Sequence, residues 1–295
     1  MRMFLGLFIG ISHGYLERQL PLPGTPSPNF GHEELWRLQN DFWARFLYPA
    51  NVEEARSVNS TIFSANVQGR VSDSRTFDGA ELNTEYIFGL FTPSSTFSLL
   101  GQPTSYEILH FAANQNIASS TTRVNFSIAS FHNTSVPVLI DTWMTWDEGK
   151  RINQYHVTFR WWGFLLDELL KSIHEDKEVA ERLVLQKLVA SICDTHTTHC
   201  TGSNIQYPSQ DACTSFLLGE VRLGQSWEFG MNTVMCRGLH HVMLKFRPDV
   251  HCSHIGKTGG GMCEDDQTYA GKVTESYFKN SPWIPGSVGR IDGQG

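Results

Sequence analysis

No cysteine precedes Cys193 in this chain of 295 residues. That excludes a fold tied together along its whole length by disulfides, so the first two-thirds must hold itself by apolar burial. Runs of Lys and Arg are also missing. With 23 basic against 30 acidic residues and a formal charge of −7, nothing in the chain could neutralise a row of phosphates, and no nucleic acid partner is expected. Long apolar runs are absent too: the stretch Met3 to Ile11 is about half of the roughly 20 residues that a spanning helix needs. No membrane span is expected. There is no Gly-x-Ser-x-Gly elbow for a serine hydrolase. The glycine group Gly256, Gly259, Gly260 and Gly261 has neither the preceding strand nor the lysine of a phosphate loop.

What is present speaks first of compartment. Arg2, the apolar stretch and the small residues Ser12 and Gly14 have the order of a short secretory signal peptide, assigned to residues 1–14. Asn59, Asn125 and Asn133 each begin an Asn-x-Ser/Thr triplet, a glycosylation acceptor in a secreted chain. The six cysteines, Cys193, Cys200, Cys213, Cys236, Cys252 and Cys263, are even in number and clustered, which reads as three disulfides; their pairing is open. The expected location is therefore outside the cell or in the secretory lumen.

Pro21, Pro23, Pro26 and Pro28 make residues 15–32 an arm without helix or central strand. Leu35, Leu38, Phe42 and Phe46 then recur at helical spacing up to Pro49, and Leu82, Tyr86, Ile87, Leu90 and Phe91 mark a second helix closed by Pro93. Between them lies a polar, turn-rich stretch. Alternation over Ser105 to Phe111 and at Val124, Phe126 and Ile128 predicts strands, with Asn125 facing outward. Pro137 to Trp146 and Ile152 to Trp162 predict a hairpin turning at Asp147-Glu148-Gly149-Lys150, with positive φ at its Asp and Gly. Beyond Trp162 the spacing becomes helical over Leu165 to Ile173, Val179 to Ile192, Ala212 to Val221 and Phe229 to Phe246.

The Ile62-Phe63-Ser64-Ala65 run, the stretch ending Phe77-Asp78-Gly79, the helix with Glu81-Leu82-Asn83-Thr84-Glu85-Tyr86 and the hairpin around Asp147 to Ile152 resemble the SnoaL-like, ketosteroid-isomerase-like cone fold. The resemblance spans about Glu33 to Trp162. It implies an α+β class: a curved antiparallel sheet with packed helices around a deep apolar pocket (33–162). A mainly helical, disulfide-tied region (163–275) and a flexible tail (276–295) would follow. The cysteine-rich part is similar to the tails of uncharacterised secreted fungal proteins. Where the isomerase branch carries its carboxylate, this chain has Arg70, with Asp73 a few residues on, so classical steroid isomerisation is not implied.

Candidate chemistry follows from the expected facing. Asp141 shares a strand face with Leu139, Trp143 and Thr145; turned inward, its carboxyl would be desolvated and suited to proton transfer. The opposite face, with Val138, Ile140 and Met144, is as apolar. On the last strand Tyr155, Val157, Phe159 and Trp161 should face in, giving Tyr155 as a hydroxyl able to polarise a substrate oxygen. His110, in phase with Tyr106 and Ile108, would complete the catalytic set, while Tyr86, Trp143 and Phe159 would shape the pocket. His196, His199, His251 and His254 beside cysteines suggest zinc or copper, but disulfide sulfurs cannot ligate. No metal and no cofactor are therefore expected, with a histidine-only site as the alternative. His240 and His241 would point about 100° apart on a helix. The expected function is a secreted enzyme acting on a small apolar metabolite by acid/base chemistry as isomerase, cyclase, dehydratase or epoxide hydrolase; the alternative is a binding protein without catalysis.

Overall fold

The computed structural model describes residues 28–275 and Phe278. The expected signal segment, most of the proline-rich arm and nearly all of the expected tail lie outside the described residues. Helix α1 (His32–Phe46) buries Leu35, Leu38, Phe42, Trp43 and Phe46, a stripe at the helical period that needs an apolar partner surface. The chain turns at Pro49 into a short helix α2 (Ala50–Ser57), which sequence spacing did not reveal. The stretch read as turn-rich is in fact strand β1 (Phe63–Val71) with its short partner β2 (Thr76–Asp78). Its apolar residues are few because its neighbours supply the packing. Gly79 then takes φ +87°, a conformation glycine reaches without a Cβ penalty, and starts α3 (Ala80–Ile87), followed by a 3-10 turn at Gly89–Phe91.

Strands β3 (Gln102–Asn114), β4 (Ile117–Ile128), β5 (Thr134–Trp146) and β6 (Ile152–Phe159) complete a curved six-stranded sheet in the order β2-β1-β6-β5-β4-β3. All neighbours are antiparallel except β1 and β6, which run parallel. The α+β class is as expected. In the β5–β6 turn the positive φ falls at Lys150 rather than at Asp147 or Gly149.

The second half is helical: α4 (Trp162–Ile173), α5 (Lys177–His199), α6 (Gln210–Glu220), α7 (Val234–His240), α8 (Pro248–Ile255) and α9 (Tyr269–Thr274). The Asp176 carboxylate accepts from the Glu178 and Val179 amides to cap α5. The helix expected over Phe229 to Phe246 is shorter, because Thr233 caps it and a 3-10 turn at His241–Met243 ends it. Cys193 pairs with Cys213, Cys200 with Cys252 and Cys236 with Cys263, leaving no free cysteine among the described residues. Among those residues no helix is long and apolar enough to cross a membrane.

Candidate functional site

Burial of α1 and α3 against the concave face of the sheet leaves a cavity of about 100 Å³. Its walls come from Phe42, Trp43 and Phe46 of α1, Tyr86 and Ile87 of α3, and Phe126, Val138, Ile140, Val157 and Phe159 of the sheet. Trp162, Leu165, Phe229 and Leu239 of the helical half complete the enclosure. The one acidic residue in the wall among the described residues is Asp73, in the turn after β1. Partial burial raises its pKa against the opposing pull of the Ser72 hydroxyl, which donates to Oδ2 at 3.1 Å, and of the Lys272 charge. Ser74 lines both this cavity and a polar cleft that also includes Arg70, Arg75 and Lys272. The wall residue Trp43 is fully buried, and its Nε1–H has no acceptor among the described residues.

Tyr86 and Phe159 line the cavity, as their spacing suggested. Five other residues require correction. Asp141 lies on the outer face of the sheet, paired in register with Thr121 and Thr158. Its side chain is 30% exposed and is held by the Arg160 guanidinium and by the Thr121 hydroxyl, which donates at 2.6 Å. Trp143 is on the same outer face, 49% exposed. His110 is exposed there as well, opposite Thr121, so the register brings it into one row with Asp141 on the wrong side for the cavity. Tyr155 faces inward and is buried as expected, but it does not reach the cavity wall. Its hydroxyl donates to Asn83 Oδ1 at 2.6 Å, and burial raises its pKa. Trp161, expected inward, is exposed at the start of α4.

Substituting Asp141 therefore tests the facing directly. Asp141→Asn is expected to change unfolding free energy by less than about 1 kcal/mol, the range of a partly solvated ion pair, and to leave ligand retention in the cavity unchanged. Chemical denaturation and a ligand-release assay on the same preparation check both.

Behind Tyr86, away from the cavity, the helical half brings three imidazoles together. The Tyr86 ring stacks on Phe77 at 3.7 Å, and its hydroxyl lies 3.3 Å from both ring nitrogens of His240. Nδ1 of His254 is 3.2 Å from Nδ1 of His240 and 3.2 Å from Nδ1 of His251. Burial pushes His240 well below the usual histidine range, helped by His254 and His251. Burial likewise lowers His254 to about 3, with His251 adding to it. The Glu85 carboxylate, 1% exposed, is 3.1 Å from His251 Nε2 and 3.3 Å from the Arg247 guanidinium, yet neither oxygen has a hydrogen-bond partner of good geometry. Spacing singled out the pair His251 and His254; their grouping with His240 and Glu85 comes from the packing of α7 and α8 on α3. His196 is used otherwise, its Nε2 accepting from the Gln206 amide. His241 turns away from the cluster to Gly238 O at 2.7 Å.

A curved antiparallel sheet with one parallel strand pair, closed by helices and backed by a disulfide-tied helical region, defines a two-part α+β protein with an apolar cavity. Residues 40–157 match the family model described as the BfoA N-terminal domain, and residues 161–266 match the BfoA family C-terminal domain. The chain belongs to the BfoA family. It is 50% identical over 280 residues to the bifonsecin B biosynthesis cluster protein A of Aspergillus brasiliensis, covering 94% of each chain. To the aurasperone B biosynthesis cluster protein A of Aspergillus niger it is 51% identical over 276 residues, covering 92% of this chain and 90% of that one. Similar solved structures include the epoxide hydrolase/cyclase-like enzyme SalBIII, at 13% identity and TM-score 0.33 over 44% of this chain and 92% of that chain. Another is an NTF-2 like protein of unknown function from Burkholderia xenovorans, at 11% identity and TM-score 0.31 over 43% of this chain and 83% of that chain.

Proposed function

We propose that this protein takes part in a biosynthetic pathway by binding the apolar end of a small metabolite in the cavity and moving one proton on it through Asp73. The observation that carries this reading is an acidic residue, Asp73, kept partly out of water in a wall that apart from Ser74 is apolar. A carboxyl with a raised pKa holds its proton nearer to neutral pH, where it can give or take it in a rearrangement. Isomerase, cyclase, dehydratase and epoxide-opening reactions all need such a group. The cavity volume suits about one ring-sized apolar fragment. The biosynthesis clusters that name both Aspergillus relatives support a biosynthetic role.

Mass spectrometry of small molecules extracted from the natively purified chain identifies the ligand, and turnover of that ligand is then compared with Asp73→Asn. Turnover should fall by about 10²–10⁴-fold while retention of the ligand stays within about threefold. Equal turnover in both proteins would remove Asp73 from the chemistry. Retention without turnover in either would leave a carrier, the reading that the apolar character of the rest of the wall favours.

Export is proposed as well. Three disulfides form and persist in an oxidising compartment, and Asn59 and Asn133 are exposed and reachable by the glycosylation machinery. A mass decrease on endoglycosidase treatment of protein from the native host tests this; an unmodified mass in the cell extract would oppose it.

A further inference from the structure

We propose that His240, His251 and His254 form a buried three-imidazole site for a divalent transition metal of the zinc class, with Glu85 orienting His251 from behind. The proposal does not depend on the cavity or on Asp73.

A neutral imidazole nitrogen offers either one N–H or one lone pair in the ring plane. Nδ1 of His254 contacts Nδ1 of both neighbours at 3.2 Å, so its single proton or single lone pair would have to serve two hydrogen bonds at once. No assignment of protons among neutral rings gives each contact its own bond. A cation removes the conflict, because all three nitrogens then present lone pairs to one point.

Zinc binds imidazole nitrogen at about 2.0–2.1 Å in tetrahedral geometry, which sets neighbouring ligand atoms about 3.3 Å apart. The two Nδ1–Nδ1 separations that involve His254 are 3.2 Å, and the ligand atoms of all three rings lie within 4.8 Å of one another. Ordinary packing gives ring nitrogens no reason to converge in this way.

A carboxylate stands behind one of the rings. Glu85 is a buried carboxylate without a well-formed hydrogen bond, placed 3.1 Å from the other nitrogen of His251. Carboxylates behind metal-bound histidines commonly accept that N–H and fix the ring. Metal binding would acidify the Nε2–H and supply the missing partner. Cys236 and Cys263 also lie near His240, but they are joined in a disulfide and offer no thiolate, so the donor set is imidazole alone. The fourth position is left to water or to the Tyr86 hydroxyl beside His240.

The test uses the full chain, stripped with chelator, without reductant, and titrated with Zn²⁺ alone. One equivalent should bind, and X-ray absorption of the zinc-loaded wild-type protein should show nitrogen neighbours with the outer-shell scattering of several imidazoles. Co²⁺ in its place should give the visible bands of a four-coordinate site. His254→Gln and His251→Gln should each weaken binding at least a hundredfold, Glu85→Gln by about 10–100-fold, and His199→Gln not at all. The wild-type absorption spectrum decides the matter if the variants fail to fold. Binding below 0.1 equivalent, absorption without imidazole scattering, or binding that appears only after disulfide reduction would each overturn the proposal.

Discussion

Loss of the Cys200–Cys252 bridge in a Cys200→Ala/Cys252→Ala variant is expected to lower the unfolding free energy by about 4 kcal/mol. The bridge joins the end of α5 to the middle of α8 across a sequence separation of 52 residues. Closing a loop of that length removes much of the freedom of the unfolded chain, and the stabilisation grows with the logarithm of the length. The Cys193–Cys213 bridge, with a separation of 20, should be worth about 3 kcal/mol on the same reasoning. Stability of a folded domain is commonly about 5–15 kcal/mol, so the longer bridge supplies a large share of it. Cys252 also sits between His251 and His254 on α8, so freeing that helix should loosen the imidazole cluster. Urea unfolding of the two double variants measures the difference. A cost below about 1 kcal/mol for the longer bridge would mean that α8 is held by packing alone.

Gly69→Ala is the second large effect, expected at about 3–5 kcal/mol of destabilisation. Gly69 is on β1, opposite Phe77 of β2 and Tyr155 of β6. A Cβ there would stand 2.1 Å from Asn83 Oδ1, 2.1 Å from Tyr155 Cζ and 2.2 Å from the Tyr155 hydroxyl. Neither neighbour is free to yield. Asn83 is fully buried and donates to the Phe77 and Gly79 carbonyls at 3.0 and 2.8 Å, which holds α3 onto the sheet. Tyr155 is packed and gives its proton to the same Asn83. The alanine therefore breaks a buried hydrogen bond and overpacks the junction of α3 with β1 and β6. Thermal unfolding of Gly69→Ala beside Gly31→Ala provides the control, since among the described residues nothing lies within 4 Å of a Cβ at Gly31. Equal midpoints would show that the junction can relax.

Tyr155 thus has a structural role, which explains why its phenol is well buried yet remote from the cavity. The same holds for the acid first considered. Asp141 and Arg160 belong to the solvated face, and the acidic residue that lines the cavity, Asp73, lies in a turn where no periodicity marks it.

Much of the architecture was legible in the chain itself. Helical spacing located α1, α3, α4 and α5, alternation located β3 to β6, and cysteine clustering placed three disulfides in the last third. Spacing turned Tyr86 and Phe159 toward the interior, and both line the cavity. Strand β1 was not, because Gly69 and Arg70 interrupt its pattern and its parallel pairing with β6 depends on a partner far along the chain. Nor was the imidazole cluster, which joins α7 to α8 through helix packing.

The sidedness of the candidate acids was decided by two bulges that only the folded sheet shows. After the pair Trp146 and Ile152, the register steps to Thr145 opposite Gln154, leaving Asn153 as an extra residue. Without that step Trp143 and Asp141 would share the face of Tyr155 and Val157; with it, Met144 and Thr142 do. On β3 the shift between Ile108 and His110 similarly turns His110 to the outer face. The sequence by itself determined which residues alternate along each strand, because side chains in a strand point to opposite faces in turn. Which of the two sets faces the cavity depends on register, and one inserted residue exchanges them.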